Sequence, residues 1–292
     1  MERDSAPDGC RYEVLPFGSV VEQAEAVGEP LTLTVTCSPR QGPDRTVELA
    51  AALRALGHTV IVHLAARMVS GPEHLDALLR AMAAADLRDA FVIGGDVTVP
   101  AGSYGSALEL LTDMRVHRDA PATIGVGAYP EGHPLIADDV LLDDLLAKDG
   151  LADYMVTQMC FDAAALVGWL QRMRQLNLRM PAYLGVPGAV DRRRLLEISL
   201  RVGVGTSISF LRKQRGAGRL FGHGRGAVED LRDHLAALVG GELGVAGTHF
   251  YTFNRLIETV RFAELTRAQP SPDPRRIAGP RSAAIKQESR RT

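Results

Sequence analysis

The sequence contains eight short apolar runs that alternate with stretches of helical character. Most runs are β-branched or continuously apolar, which is typical of parallel strands covered on both faces. They span residues 12–15, 31–37, 59–64, 90–94, 122–128, 154–158, 182–186 and 248–252. Eight strands alternating with helices predict a single-domain α/β fold, a (β/α)8 barrel of the TIM type. A doubly wound open sheet is the alternative, because a strand count alone does not establish closure.

The helical patterns between these runs carry recognisable start and stop residues. They occupy residues 46–56, 73–85, 106–111, 135–149 and 163–176. Gly57 follows the first pattern, where a glycine ends a helix without a steric penalty. Asp162 precedes the last pattern, where a carboxylate accepts hydrogen bonds from the first free N–H groups. These signals support the alternation of strands and helices.

Size and composition narrow the class of protein. The chain has 292 residues, 46% of them hydrophobic, which is enough for one barrel-sized core. A net charge of −2 gives no general attraction for nucleic acid or an anionic membrane. The polar N-terminus does not resemble a signal peptide, and no apolar run approaches the ~20 residues of a membrane span. Three cysteines without CxxC spacing predict neither a disulfide framework nor a zinc centre. We expect a cytoplasmic protein with no metal, nucleic acid or membrane as partner.

The chain divides into three parts by composition. Residues 1–11 are predicted to be a flexible N-terminus, 12–268 the barrel, and 269–292 a disordered tail with six Lys or Arg against two acids. Residues 216–226 hold five glycines, which favours a mobile surface loop over a lid near the active site. This segment lacks the lysine and hydroxyl residue that end a P-loop.

Glu13 is the most informative acid in the sequence. It lies inside the first apolar run, between Tyr12 and Val14. A carboxylate in apolar surroundings loses solvation free energy unless it is paired, which favours its protonated form. A carboxylic acid that keeps its proton near neutral pH is suited to general acid catalysis. The other interpretation is an ordinary glutamate at the end of a strand.

Further polar groups follow other predicted strands. His63 lies near the end of the third run, Gly94-Gly95-Asp96 comes directly after the apolar residues 91–93 of the fourth, and Gln158 ends the sixth. Parallel α/β folds bind their ligands at the carboxyl ends of strands. Glycines there let a flat ring or a phosphate approach the main chain, and an amide can donate and accept at once. A tight turn and a solvated histidine are the alternatives for these positions.

Five segments together resemble the methylenetetrahydrofolate reductase family over roughly residues 12–261. They are Glu13-Val-Leu-Pro16, Gly94-Gly95-Asp96, Ala128-Tyr-Pro-Glu-Gly-His-Pro134, Thr157-Gln-Met-Cys-Phe-Asp162 and His249-Phe-Tyr-Thr-Phe-Asn-Arg255. This family reduces a one-carbon folate on a (β/α)8 barrel, usually with FAD. The resemblance therefore implies an NAD(P)H-dependent reduction of 5,10-methylenetetrahydrofolate to 5-methyltetrahydrofolate, with a tetrahydrofolate derivative and a nicotinamide nucleotide as partners.

The resemblance also implies roles for individual residues. Glu13 is expected to be the general acid, and Asp96 to orient the pterin and tune the flavin. The expected FAD-binding residues are Thr36, His63, Gly94, Gly95, Asp96, Tyr104, Gly105, Tyr129, His133, Asp143, Asp144 and Lys148. Gln158, Phe210 and Arg255 are expected to bind the substrates, Arg255 by holding the glutamate carboxylate of the folate.

Two departures from the family pattern bear on function. Phe17 stands where the family has a second proline, and Gly94 stands where it usually has arginine, so a cationic contact to the flavin is missing. The second departure motivates a flavin-free variant that passes hydride directly from NADH to folate. Together with the segment 205–214, which does not match the best-known members of the family, they also motivate a non-catalytic folate- or flavin-binding protein. The choice of NADH or NADPH and the physiological direction stay open, and a homo-oligomer is compatible with the sequence.

Overall fold

The computed structural model describes residues 9–160, 162–190, 231 and 235–267. Phe210, the glycine-rich segment 216–226 and the tail 269–292 lie outside these ranges. Statements about the structure below concern the described residues.

Eight parallel strands form a closed barrel in sequence order, which confirms the predicted fold class. The strands are β1 (Cys10–Val14), β2 (Thr32–Val35), β3 (Thr59–Ala65), β4 (Asp89–Ile93), β5 (Thr123–Ala128), β6 (Tyr154–Thr157), β7 (Ala182–Pro187) and β8 (Val245–Tyr251). β8 pairs with β1, which closes the sheet and excludes the open-sheet alternative. The first strand begins at Cys10, two residues before the predicted start, so Arg11 belongs to the barrel.

Helices cover the outside of the barrel. They are α1 (Val20–Val27), α2 (Gly42–Ala55), α3 (Pro72–Ala84), α4 (Ala107–Val116), α5 (Asp138–Ala147), α6 (Ala163–Gln175) and α7 (Leu256–Arg267). As predicted, the Asp162 side chain caps α6 by accepting from the N–H groups of Ala164 and Ala165. Gly57, just past α2, has a φ of +93°, as expected for a glycine that ends a helix. None of the helices in the described ranges has both the length and the apolar character that crossing a bilayer requires.

Side chains alternate between two layers along each strand, because successive residues of a strand point to opposite faces. Val14, Leu33 and Val62 face outward and join the main core between the barrel and its helices. Their neighbours along the strands, including Glu13 and His63, therefore point into the barrel. This parity decides which polar residues can reach a common site.

The amino-terminal end of the barrel is closed by a layer that we call the floor: Arg11, Asp89, Tyr154 and Tyr183. The Arg11 guanidinium carbon lies 4.0 Å from the ring centroid of Tyr154 and 3.5 Å from that of Tyr183. The Tyr154 hydroxyl donates to Asp89 at 2.9 Å. A Cβ at Gly125 would lie 2.1 Å from a Tyr154 ring atom, so only glycine leaves room for this ring. The floor leaves the opposite, carboxyl-terminal end as the place for a ligand.

Candidate active site

The carboxyl ends of the strands surround a mouth lined by several of the sequence-predicted residues. Glu13 lies in β1 and His63 in β3, whereas Asp96 is the third residue after β4 and Gln158 directly follows β6. In barrels of this type the ligand site is at this end, because the loops after the strands meet there. Closure of the barrel therefore brings together residues that are far apart in sequence.

Glu13 is held in place by the last strand. Its Oε2 lies 3.3 Å from Nε2 of His249 in β8. Its backbone carbonyl accepts hydrogen bonds from the hydroxyl and the N–H of Thr252. The Glu13 side chain is 17% exposed and that of His249 only 2%. The carboxyl group thus reaches the mouth while its inner side contacts a buried imidazole.

His63 is a buried imidazole close to the same acid. Its ring centroid lies 4.7 Å from that of Phe91, and its Nε2 has no hydrogen-bond partner among the described residues. Burial lowers the pKa of His63 to about 4, against a smaller opposing effect of the Glu13 charge. His63 is therefore neutral at physiological pH and can offer a polar atom without adding a positive charge.

Asp96 sits on a loop that is shaped by Gly95 and Arg67. Gly95 has a φ of +92°, and a Cβ there would meet the Cβ of Ala65 at 3.0 Å, which explains the glycine. The Arg67 guanidinium donates to the carbonyls of Val97 and Thr98 further along this loop, at 2.7 and 2.5 Å. Asp96 itself is exposed to solvent. The pKa of Tyr129 is raised mainly by burial and, to a smaller extent, by the negative charge of Asp96. The two residues therefore lie within electrostatic reach of each other.

The remaining predicted residues separate into those near the mouth and those engaged elsewhere. Tyr129 makes an edge-to-face contact with His133 at 5.4 Å, and the Gln158 amide oxygen accepts from the Met159 N–H at 2.8 Å. The Tyr104 hydroxyl donates to Asp113, and Gly105 donates its N–H to Glu109 in the capping of α4. Asp143 is exposed, and Arg255 pairs with Glu258 at 3.4 Å. Their ligand-binding roles stay predictions.

The residues assigned to FAD by resemblance fit the cofactor at one end and not at the other. At the ring end, Thr36 Oγ1 and His63 Nε2 are buried polar atoms without a protein partner in the described ranges, and either a heterocycle or a water molecule can satisfy such atoms. At the phosphate end, the Lys148 ammonium is buried and already bonded to Asp144. Gly94 supplies no cation in place of the family arginine. Because this set offers no unpaired positive charge to a diphosphate, it does not fit a resident FAD.

A cavity of about 380 Å³ lies between the β5–α5 loop and the helices α5 and α6. Its lining includes Tyr129 from the mouth, Trp169 and Arg172 from α6, and the carboxylates of Glu131 and Asp144. Trp169 is partly buried and Arg172 is exposed. The cavity thus connects the mouth with an aromatic ring and a guanidinium group.

Sequence reasoning did not find three of these features. His249 was part of a family motif, but its contact with Glu13 depends on the β1–β8 register, in which Arg11 pairs with His249 and Glu13 with Tyr251. Trp169 and Arg172 gave no motif signal. The spacing of Asp144 and Lys148, four residues apart on a helix, was the one signal that could have revealed their pairing.

The fold and the mouth define a (β/α)8 barrel protein with a carboxylic acid and polar groups at the ligand-binding end. A family model described as methylenetetrahydrofolate reductase matches residues 16–191, which is more than half of the chain. The chain therefore belongs to the methylenetetrahydrofolate reductase family, as the sequence motifs predicted. Glu13, His249 and Arg255 lie outside the matched residues.

Two known proteins extend this comparison. Methylenetetrahydrofolate reductase 1 of Schizosaccharomyces pombe is 27% identical over 124 residues, which cover 39% of this chain and 20% of that protein. The chain thus matches about a fifth of that relative's length. A solved structure of an uncharacterized protein from Clostridium thermocellum that binds two copies of 5-methyl-5,6,7,8-tetrahydrofolic acid has a TM-score of 0.59 at 13% identity, covering 89% of this chain and 94% of its own. At this identity the likeness concerns the fold.

Proposed function

We propose that the protein reduces 5,10-methylenetetrahydrofolate to 5-methyltetrahydrofolate with hydride from NADH or NADPH. The observation that carries the proposal is the placement of Glu13: a partly exposed carboxyl group at the barrel mouth, held from behind by His249 at 3.3 Å. Membership of the methylenetetrahydrofolate reductase family supplies the reaction class. The folate-binding structural neighbour is consistent with a tetrahydrofolate ligand on this fold.

Glu13 is the proton donor of this proposal. The leaving nitrogen of the five-membered ring takes the Glu13 proton while its bond to the methylene carbon breaks, which leaves an iminium on the other nitrogen and a carboxylate on Glu13. Hydride then adds to the methylene carbon, and the electrons of the C=N bond return to nitrogen, giving the methyl group. His63, which points into the barrel from β3, is neutral and adds no positive charge beside this acid.

Asp96 and Gln158 are the proposed pterin-orienting residues. The Gln158 amide oxygen is fixed by the Met159 N–H, which sets the direction of the whole amide group. Asp96 follows Gly95, whose backbone conformation turns the loop at the end of β4. A carboxylate and an oriented amide match the alternating donors and acceptors of a pterin edge.

Direct hydride transfer from the nicotinamide nucleotide is the route that we propose. The supporting observation is the poor fit of the phosphate end to FAD, where Lys148 is neutralised by Asp144. A resident cofactor has to stay bound between turnovers, whereas a co-substrate binds transiently and needs far less affinity. The cavity beside Tyr129 offers Trp169 to the adenine and Arg172 to a phosphate of such a nucleotide.

The test is a turnover assay with purified protein, without added flavin. NADH or NADPH is mixed with 5,10-methylenetetrahydrofolate, and the products are identified by mass spectrometry. The proposal expects nucleotide oxidation only when folate is present and one methyl-folate formed per nucleotide oxidised. Tight folate binding without turnover would instead identify a non-catalytic folate-binding protein.

A further inference from the structure

The interior of the barrel is divided into an apolar side and a polar side. On the apolar side, Ile61, Phe91, Tyr154 and Val156 form a cluster of their own, separate from the main core. On the polar side lie inward-facing residues of β1, β2 and β8. Barrel interiors are usually packed with bulky branched side chains, so a polar side needs an explanation.

The polar side contains buried atoms without hydrogen-bond partners in the described ranges. Three of them are the hydroxyls of Thr32 and Thr34 in β2 and of Thr36 just after it, at every second position, and the others come from β1, β3 and β8. The complete set is Arg11 Nη1, Thr32 Oγ1, Thr34 Oγ1, Thr36 Oγ1, His63 Nε2 and His249 Nδ1. We call this set the polar column. Buried polar atoms are almost always satisfied in folded proteins, so six in one place point to a ligand.

The strand register makes the polar column continuous. Glu13 pairs with Thr34, and since Tyr12 pairs with Leu33, Arg11 and Thr32 are also neighbours. Arg11 pairs in turn with His249 on the other side. Neighbouring strands are about 4.8 Å apart and hydroxyls two residues apart on one strand are separated by about 6.6 Å. Both spacings exceed a direct hydrogen bond and match the span that one or two bridging water molecules cover.

Water is the ligand that this geometry fits. The column starts at the floor beside Arg11, too deep for a pterin or nicotinamide ring that enters from the mouth. Its members are threonine hydroxyls, imidazole nitrogens and one guanidinium nitrogen, which a water molecule satisfies as donor or acceptor. Within the described ranges no group of three His, Cys, Asp or Glu side chains is arranged to bind a metal ion. Buried waters typically make about three such bonds.

We propose that the barrel interior binds a chain of water molecules along the polar column, from Arg11 at the floor to Thr36 near the mouth. This chain passes Glu13 on its inner side, at the level of Thr34. Resting on the proposed function, it also solvates the charge that Glu13 carries after giving its proton to folate. The carboxylate is then stabilised from inside the barrel while the substrates cover the mouth.

Replacement of a threonine by valine tests the water chain through the sign of the stability change. Thr34→Val keeps the shape of the side chain and removes the hydroxyl. If Thr34 binds an internal water, the variant leaves that water short of a partner and lowers Tm by about 2–4 °C. If the hydroxyl is simply unsatisfied, its removal raises Tm or leaves it unchanged, which would overturn the proposal.

Two controls make this result decisive. Thr157→Val is the matched control, because the buried Thr157 hydroxyl accepts from the Gly185 N–H at 2.9 Å and its loss lowers Tm in either case. A high-resolution crystal structure of the unaltered protein should show ordered water between the Thr32 and Thr34 hydroxyls. A dry interior in that structure would also overturn the proposal, whether or not the variant folds.

The link to Glu13 has its own readout. With the water chain present, Thr34→Val should lower kcat for folate reduction several-fold with little change in KM. An unchanged kcat would overturn the link to the acid. If the unaltered protein shows no folate reduction, the proposed function fails, while Tm and the crystal structure still decide on the water chain.

Discussion

His249 Nε2 lies 3.3 Å from Glu13 Oε2, although 236 residues separate the two in sequence. The contact crosses the seam between the first and the last strand of the barrel. Closure of the barrel is therefore a condition for holding the proposed acid in position. On the other side of β1, the pairing with β2 aligns Glu13 with Thr34, at the middle of the polar column.

Replacing the acid tests the proton transfer. Glu13→Gln keeps the size of the side chain and removes its proton, so we expect kcat for folate reduction to fall by about 10²–10⁴. Folate affinity should change little, because the ring contacts of Asp96 and Gln158 are unaffected. The exposed Glu22→Gln on α1 is the matched control and should retain full activity. Full activity of Glu13→Gln would show that another group donates the proton.

His249 is expected to act as a positioning residue. His249→Asn removes the contact to Glu13, and we expect kcat to fall about 10- to 100-fold with a nearly constant KM for folate. A KM for folate that rises together with the fall in kcat would indicate a purely structural role.

The cavity between α5 and α6 is expected to bind the far end of the nucleotide. Trp169→Ala and Arg172→Ala should each raise KM for NADH or NADPH by about tenfold, equivalent to about 1.4 kcal/mol, with little effect on KM for folate. Arg179→Ala, an exposed arginine outside the cavity lining, is the control. Unchanged nucleotide KM in both variants would place the nucleotide elsewhere.

The buried neutral His63 predicts a pH dependence of stability. Its pKa is about 4 in the folded protein, because of burial, and about 6.5 in the unfolded chain. As pH falls from about 6.5 to 4, the unfolded chain therefore takes up more protons and the folded protein loses stability, by about 3 kcal/mol from this group. His63→Gln should lack this part of the loss. Urea unfolding of both proteins at pH 7, 6, 5 and 4 measures the difference.

Local sequence signals were sufficient for the fold. The eight strands, the Asp162 cap and the glycine after α2 follow from short-range periodicity and turn chemistry, and each is present in the structure. They were predictable because strand and helix patterns need only a few neighbouring residues.

Contacts across the barrel were less accessible to sequence reasoning. The Glu13–His249 contact and the floor around Arg11 depend on strand register, which a single sequence does not reveal. In the sequence Tyr154 is an ordinary strand residue, and only the structure shows that its ring fills the space over Gly125. Lys148 was predicted to bind a phosphate, but in the structure its ammonium group pairs with Asp144. Its charge alone pointed to a cofactor, and only its partner shows that the charge is already neutralised.

The most direct measurement of the central claim follows a deuterium atom. NADH or NADPH carrying deuterium at the transferable position of the nicotinamide is reacted with 5,10-methylenetetrahydrofolate in ordinary water. The deuterium content of the methyl-folate is then measured by mass spectrometry. Direct hydride transfer predicts a product in which the methyl group retains the deuterium. A reduced flavin exchanges its transferable hydrogen with water, so an unlabelled methyl group would contradict the direct route, and no methyl-folate at all would contradict the proposed reaction.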